Sequence, residues 1–475
     1  MSITGKDLLD AGYKGTGSDF GKALAYLNKY SFTDQAMASW IKDNQPKPLL
    51  QLQTAPDLIV NLDADTDQEK LNKENVIKTM EVLMQTPNVV NGVVMPDAMP
   101  AGPEGTIPVG GVVVTKGTIH PGMHSADVCC SMMVTEFKDA DPAKVMDAIS
   151  SVTHFGRGGR QDGHRFTLSH NLYADMMENL YTSSNRTMDM AVSQLGTQGD
   201  GNHFSYVGIN NAGSVCLVTH HGSRGVGAQV YKKGLEDAQY HTNKVVEGVL
   251  PQNAWLDYDS GLGYTYWDAL QLVRRWTKAN HAVLHTAVAE MIGSKIKERF
   301  WNEHNFVFME DDLFYHAKGA TPIHNDFMPD SSGKQIVPLN MAQPVLIVEG
   351  TANSRNLGFA PHGAGRNMSR TAHSNSLDPS LTHEEIFAKE TKGLDIRTYC
   401  PDIDMSELPS AYKDGPKVRQ QMEDMGLAKV VDEIQPYGSI MAGDLDKNAP
   451  WRIKREAKRL EKQLIVNNSK EEGHG

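Results

Sequence analysis

Histidines set beside glycine and asparagine carry most of the chemistry this sequence can offer. Asn202-His203 and His220-His221-Gly222-Ser223-Arg224-Gly225 share one window of the chain. His304-Asn305, His316-x-Lys318-Gly319-Ala320-Thr321 and Pro361-His362-Gly363-Ala364-Gly365-Arg366 follow. Neutral imidazole is both a metal ligand and a nucleophile, so such a set suits a metal or phosphate site. Asp127 and Cys130 form D-x-x-C, a carboxylate and a thiol that can reach one ion, with ordinary buried packing as the competing reading. The Gly-Ala-Gly after His362 either lets backbone amides approach a ligand or marks a tight turn with a bystander histidine. His281 and His285 have i, i+4 spacing without an H-E-x-x-H context, which favours packing over metal binding. Arg157, Arg160, His164 and Arg165 sit in a Gly-rich loop that either touches phosphates or is simply solvated.

These residues need rigid elements to hold them. Phe204–Val207 and Val215–Val218 read as strands bounded by Gly/Asn turns, with His203 before the first and His220 and His221 after the second. Imidazoles at strand ends can converge on one point. Upstream, Leu24, Leu27 and Tyr30 space a helix, and residues 63–75 read as an acidic loop leading into a helix over 76–85. From 88 to 135, short Val/Ile runs between Pro/Gly turns predict sheet with functional loops. The pattern is helical over 140–195 and 266–296, and a hairpin is expected within 300–325. Six Lys/Arg between Arg452 and Lys462 fall on an expected terminal helix.

The bulk numbers narrow the class. The chain has 475 residues, 40% hydrophobic and 22% charged, an ordinary balance for a globular protein. A net charge of -12 argues against a general nucleic-acid coat protein, though not against a local basic groove. Four cysteines, two of them adjacent, are too few for a disulfide framework and suit a reducing cytoplasm. The N-terminus lacks an apolar h-region and no run approaches 18 apolar residues, so neither a signal peptide nor a membrane span is expected.

Taken in order, D-x-x-C, G-N-H-F, H-x-G-S-R-G, H-N, H-x-K-G-A-T, H-G-A-G-R and A-Y-K-D resemble the RtcB-type RNA-splicing ligases, from about residue 88 to 443. The resemblance implies an α+β fold of mixed sheets with surrounding helices. It divides the chain into an N-terminal helical extension (1–87), a catalytic domain (88–443) and a basic helical tail (444–475). It implies joining of an RNA 3′-phosphate or 2′,3′-cyclic phosphate to a 5′-hydroxyl, in RNA splicing or repair, using GTP and two manganese ions through a guanylated histidine. Carried over by position, Asp127, Cys130, His203, His220 and His304 become metal ligands, with Cys130 bridging, and His362 becomes the nucleophile. Asn202, Asn305, Arg224 and Arg366 would hold phosphate oxygens, and Tyr206 and Tyr412 would line the nucleotide. An archease-like activator is implied as a partner. Manganese follows from the resemblance alone, since a thiolate with imidazoles suits zinc equally.

The sequence departs from the family at the base end. The glutamate of G-N-H-F-x-E is Tyr206, the P-G-S-M loop reads Pro338-Leu339-Asn340-Met341, and the C-terminal K-G is replaced by Met441-Ala442-Gly443. P-D-x-H reads Pro96-Asp97-Ala98-Met99. Weakened guanine selectivity is therefore expected, because a carboxylate is the natural partner of guanine's N–H groups. Two other function classes stay open: a metal-dependent phosphohydrolase or cyclic phosphodiesterase acting on RNA ends, and a non-catalytic RNA-end binder. Acid-labile labelling of the protein by an α-labelled nucleotide separates the ligase from both.

Overall fold

The computed structural model describes residues 3–15, 17–30, 33–45, 49–160, 165–324, 327–328, 330–350 and 352–445. His164 and the basic segment Arg452–Lys462 lie outside the described residues. The chain begins with three helices, α1 (Gly5–Asp10), α2 (Gly17–Tyr30) and α3 (Asp34–Asp43), which share a small apolar cluster around Leu8, Leu27 and Ile41. Next come β1 (Leu58–Val60), α4 (Asp67–Met84), β2 (Val89–Met99), β3 (Val109–Lys116), β4 (Thr118–Ile119) and β5 (Ser131–Phe137). The helices α5 (Pro142–Val152), α6 (His170–Glu178) and α7 (Asn185–Ser193) lead to the hairpin β6 (Phe204–Asn210) and β7 (Val215–His221). After α8 (Arg224–Val245) and β8 (Leu256–Asp257), the long α9 (Gly261–Ile292) precedes β9 (Ile296–Glu303), β10 (Asn305–Glu310), β11 (Leu313–Lys318) and β12 (Ala320–Pro322). The described chain closes with β13 (Gln335–Pro338), β14 (Val345–Glu349), β15 (Phe359–Pro361), α10 (Arg370–Ser376), α11 (His383–Glu390), β16 (Asp395–Thr398), α12 (Gly415–Asp424) and β17 (Lys429–Met441).

The fold is mixed α+β. One sheet of eight strands runs β13-β14-β17-β6-β7-β5-β9, with β16 paired to β17, and a second of five runs β1-β2-β3-β11-β10. β9 ends the first sheet and β10 the second, with His304 as the single residue between them, so it stands where the two sheets meet. The largest apolar cluster joins the buried face of α9 (Leu270, Val273, Trp276) to α8 (Val226, Val230) and to both sheets.

Two boundaries differ from expectation. The acidic stretch 63–75 is not a loop throughout, because α4 already starts at Asp67. Thr66 and Glu69 form a capping box, and Asp67 and Glu69 in the first turn favour the positive end of the helix dipole. Charge there nucleates the helix instead of solvating a loop. The long helix expected to reach 296 stops at Ile292, where Gly293 takes a left-handed conformation (φ 64°), and Ile296 already pairs with Phe137.

Candidate active site

The D-x-x-C loop enters β5 in a constrained conformation. Cys129 has φ 60°, its N–H donates to the Asn305 carbonyl at 2.7 Å, and its side chain packs in the main core. Cys130 turns the opposite way. Its Sγ lies 3.1 Å from His220 Nε2 and 3.5 Å from His203 Nε2, while His220 Nε2 lies 3.2 Å from His304 Nε2. An Asp127 oxygen is 3.5 Å from His203 Nε2. Two ligand groups result, Cys130/His220/His304 and Asp127/Cys130/His203, each with all donor atoms within 4.8 Å of one another and with Cys130 common to both.

The donor chemistry fits a cation. The Nδ1–H of His220 donates to the Asn202 carbonyl at 3.1 Å, so its Nε2 presents a lone pair to the thiol and to His304. Burial, reinforced by neighbouring imidazoles, holds His220 and His304 far below the ordinary histidine range, which keeps both neutral. Burial would raise Asp127, but the hydrogen bond and charge of His203 outweigh it and hold the carboxyl low. Burial and the adjacent Asp127 push the Cys130 thiol well up, so its thiolate form needs a positive charge beside it. Lone pairs crowded this closely in a buried site repel one another, and a shared cation removes that repulsion.

His362 follows β15 and stands beside His304, with ring centroids 4.8 Å apart. Its Nδ1 is 2.6 Å from an Asp97 carboxylate oxygen that also accepts its backbone N–H at 3.2 Å. Asp97 lies where the pairing of β2 with β3 is irregular, between Val94 and Met99, a break that turns its side chain out of the ladder. Lys413 anchors this bulge by donating to the carbonyls of Pro96 (2.9 Å) and Ala98 (2.8 Å). Glycine is required on both sides of the pair. A Cβ at Gly365 (φ 69°) would meet the Asp97 carbonyl at 2.1 Å, and one at Gly319 (φ 63°) would meet the His362 ring at 2.9 Å.

A cavity of about 310 Å³ connects these groups. Its walls include Asp127, Cys130, His220, His304 and His362, together with Phe204, Tyr206, Leu339, Val345, Ser439 and Met441. A wider groove of about 1060 Å³ approaches from the His203 and Arg224 side, and Asp127, Asn202 and Arg370 border both openings.

The family model for tRNA-splicing ligase RtcB matches residues 79–442, and those residues include every member of this cluster. The chain belongs to the RtcB family. It is 24% identical over 284 residues to an RNA-splicing ligase RtcB homolog 1 of Entamoeba dispar, covering 51% of the chain and 52% of that protein. It is 28% identical over 290 residues to a tRNA-splicing ligase RtcB of Aeropyrum pernix, covering 52% of the chain and 59% of the relative. The aligned part thus spans little more than half the length of either relative.

Within this RtcB member, the residues expected to hold phosphate or nucleotide divide into groups. Asn202 borders both openings, and its carbonyl orients His220. Asn305 ties the site together, its amide donating to the Asp127 carbonyl (3.3 Å) and accepting from Gly319 N–H (2.7 Å). Arg224 lies in the wider groove and not in the His362 cavity, with its guanidinium on the Gly156 carbonyl and on Thr197 Oγ1. Arg366 lines the cavity but is bonded to Glu407 (2.7 Å) and to the Ser406 carbonyl, above the Tyr412 ring. The Tyr412 hydroxyl is likewise taken by Glu407. Tyr206 is a cavity wall whose hydroxyl donates to the Ile434 carbonyl at 2.8 Å.

Some histidines leave the site. His221, next to His220 on β7, points to the other face and stacks on His281 with centroids 3.4 Å apart. His281 and His285 are buried on α9 and share the Thr219 hydroxyl, at 2.6 and 2.8 Å, so they are core polar groups. His316 accepts from His120 N–H at 2.9 Å in a separate buried cluster. Sequence reasoning assigned no role to Asp97, Lys413 or Lys318. The signal for Asp97 was its survival in Pro96-Asp97-Ala98-Met99 although the motif's histidine is lost. Lys318 faces the cavity, its ammonium on the Ile107 carbonyl (3.0 Å), and burial lowers it to about 8.

Proposed function

We propose that this chain is a metal-dependent RNA ligase that joins an RNA 3′-phosphate, or a 2′,3′-cyclic phosphate after its opening by water, to a 5′-hydroxyl, through a nucleotide carried on His362. The observation that carries this reading is the Asp97–His362 pair standing against the Cys130/His220/His304 group in one cavity. Cys130, His220 and His304 would hold one ion and Asp127, Cys130 and His203 a second. Divalent cations bound there would neutralise phosphate charge, with manganese implied by the family resemblance.

The protein groups account for the rest. Asp97 fixes the His362 tautomer with the proton on Nδ1, which leaves Nε2 free to attack the α-phosphorus of GTP. The N–P bond forms as the bond to pyrophosphate breaks, and the positive charge appearing on the imidazole faces the Asp97 carboxylate. Lys318 adds a cation on the same wall for the departing phosphates. An oxygen of the RNA 3′-phosphate then takes the nucleotidyl group from Nε2. The 5′-hydroxyl attacks that activated phosphate, forming the phosphodiester and expelling the nucleoside monophosphate. The wider groove meets the cavity at Asp127, Asn202 and Arg370, where an RNA end would reach the proposed ligands.

The test combines the full chain with α-labelled GTP and manganese, then with RNA bearing 3′-phosphate and 5′-hydroxyl ends. The expected result is acid-labile label on the protein, lost in His362→Ala, followed by joined RNA. Removal of RNA terminal phosphate without any protein-bound label would favour the phosphohydrolase reading instead.

A further inference from the structure

The cavity beyond His362 has a floor that the strand register defines. β6 and β17 pair with Phe204 opposite Met441 and Tyr206 opposite Ser439. Residues two apart on a strand share a face, so these four side chains form one continuous patch. β7 extends it, because Phe204 also pairs with His220, their rings 5.3 Å apart. The patch therefore starts at a candidate metal ligand and runs across β6 and β17 for roughly 10 Å, two strand spacings. A nucleotide whose α-phosphate meets His362 would lay its base there.

Among the described side chains at that end, the polar atoms are nearly all engaged. The Tyr206 hydroxyl is bonded to the Ile434 carbonyl. The Asn340 amide donates to Gln343 (2.9 Å) and accepts from Ala342 N–H (2.9 Å). Glu407, the carboxylate nearest in kind to a guanine reader, faces Arg366 at 2.7 Å and Arg370 at 2.6 Å. Ser439 differs. It is 1% exposed, lines the cavity, and its hydroxyl has no hydrogen-bond partner. A buried hydroxyl left unpaired is costly, and one on a cavity wall is placed for a water or a ligand atom to complete the bond.

We infer that Ser439 is the side chain that reads the base in this cavity, and that the site accepts adenine and guanine nucleotides alike. The inference rests on reading the cavity as a nucleotide site. Guanine and adenine differ by exchanging donor for acceptor along one edge, so telling them apart needs a group of fixed polarity. A serine hydroxyl rotates and can donate to guanine O6 or accept from adenine N6–H₂. The Phe204, Tyr206, Val345 and Met441 walls contact either purine equally and offer less to a smaller pyrimidine.

The test measures binding of the α,β-methylene analogues of ATP, GTP, CTP and UTP to the full chain by calorimetry with manganese present. Intact mass of the protein after incubation with the four natural triphosphates is recorded alongside. The expected result is ATP and GTP analogues within about threefold of each other, both ahead of the pyrimidines. Ser439→Ala should weaken both purines together, by about 3–10-fold for one lost hydrogen bond. A preference for GTP above about 30-fold, or a Ser439→Ala protein of normal melting temperature with unaltered purine affinity, overturns the inference. Adduct with GTP alone refutes base permissiveness while the nucleotidyl-histidine reading stands. Absence of both binding and adduct with all four nucleotides overturns that reading and the inference together.

Discussion

Asp97→Asn is the sharpest perturbation of the proposed chemistry, because it keeps shape and changes charge and proton bookkeeping. The carboxylate is fully buried and holds His362 by two bonds to one oxygen, 2.6 Å to Nδ1 and 3.2 Å to the backbone N–H. A hydrogen bond to a charged group contributes roughly 1.5–3 kcal/mol, equivalent to about 10–150-fold in rate if it is realised while charge builds on the imidazole. Asparagine adds a second effect, since its NH₂ can face Nδ1 and leave the proton on Nε2, where it blocks attack. The same exchange in hydrolase triads costs about 10⁴-fold, so adduct formation should fall between about 10² and 10⁴-fold. The assay is single-turnover labelling with α-labelled GTP and manganese, with metal content and melting temperature measured on the same preparation. Metal content should not change, because the Asp127/Cys130/His203 and Cys130/His220/His304 groups do not include Asp97. A labelling rate within about threefold of wild type, in a folded protein with full metal, would refute the role of Asp97 in setting the His362 tautomer.

Cys130 is common to both ligand groups, so Cys130→Ala should lose nearly all bound metal by elemental analysis, whereas His203→Ala and His304→Ala should each retain about one of the two ions; equal loss in all three would contradict two sites sharing one thiolate. His281→Ala should leave metal content intact but lower stability by about 2–5 kcal/mol in denaturant titration, because it opens a cavity and removes one hydrogen bond each from the Ser131 and Thr219 hydroxyls, which keep the His221 carbonyl and His285 as partners. Burial pushes Glu69 up, but the Lys417 ammonium and the Thr66 and Asp65 backbone donors outweigh it and hold its carboxyl at about 2, against an ordinary value of 4.5. A depressed carboxyl stabilises the fold above its unfolded value and loses that contribution as pH falls towards 2, so the melting-temperature gap between wild type and Lys417→Met should be widest above about pH 5 and close near pH 2. A gap that stays constant down to pH 2 would show that Lys417 acts by packing alone.

The sequence by itself determined the chemical types at the site and their local spacing. D-x-x-C places a carboxylate and a thiol in one loop, and the polar motifs at 202–203 and 220–225 fall at the ends of the β6–β7 hairpin, where short-range turn and strand signals suffice. Local signals also mislead where capping competes with charge, as at Thr66 and Glu69, which make helix out of a stretch that composition reads as loop. Tertiary structure decided which of two adjacent histidines faces the site. His220 and His221 alternate across β7, and only the pairing of β7 with β5 and β6, under α9, turns the first towards Cys130 and the second towards His281. It also brought Asp97 to His362 across 265 residues through a break in the β2–β3 ladder, and it bonded Arg366 to Glu407. The unpaired hydroxyl of Ser439 is visible only once β17 lies against β6. Residue type and short spacing are properties of the chain, whereas the face a side chain occupies and the partner it meets depend on strand register and sheet packing, which are set by contacts distant in sequence.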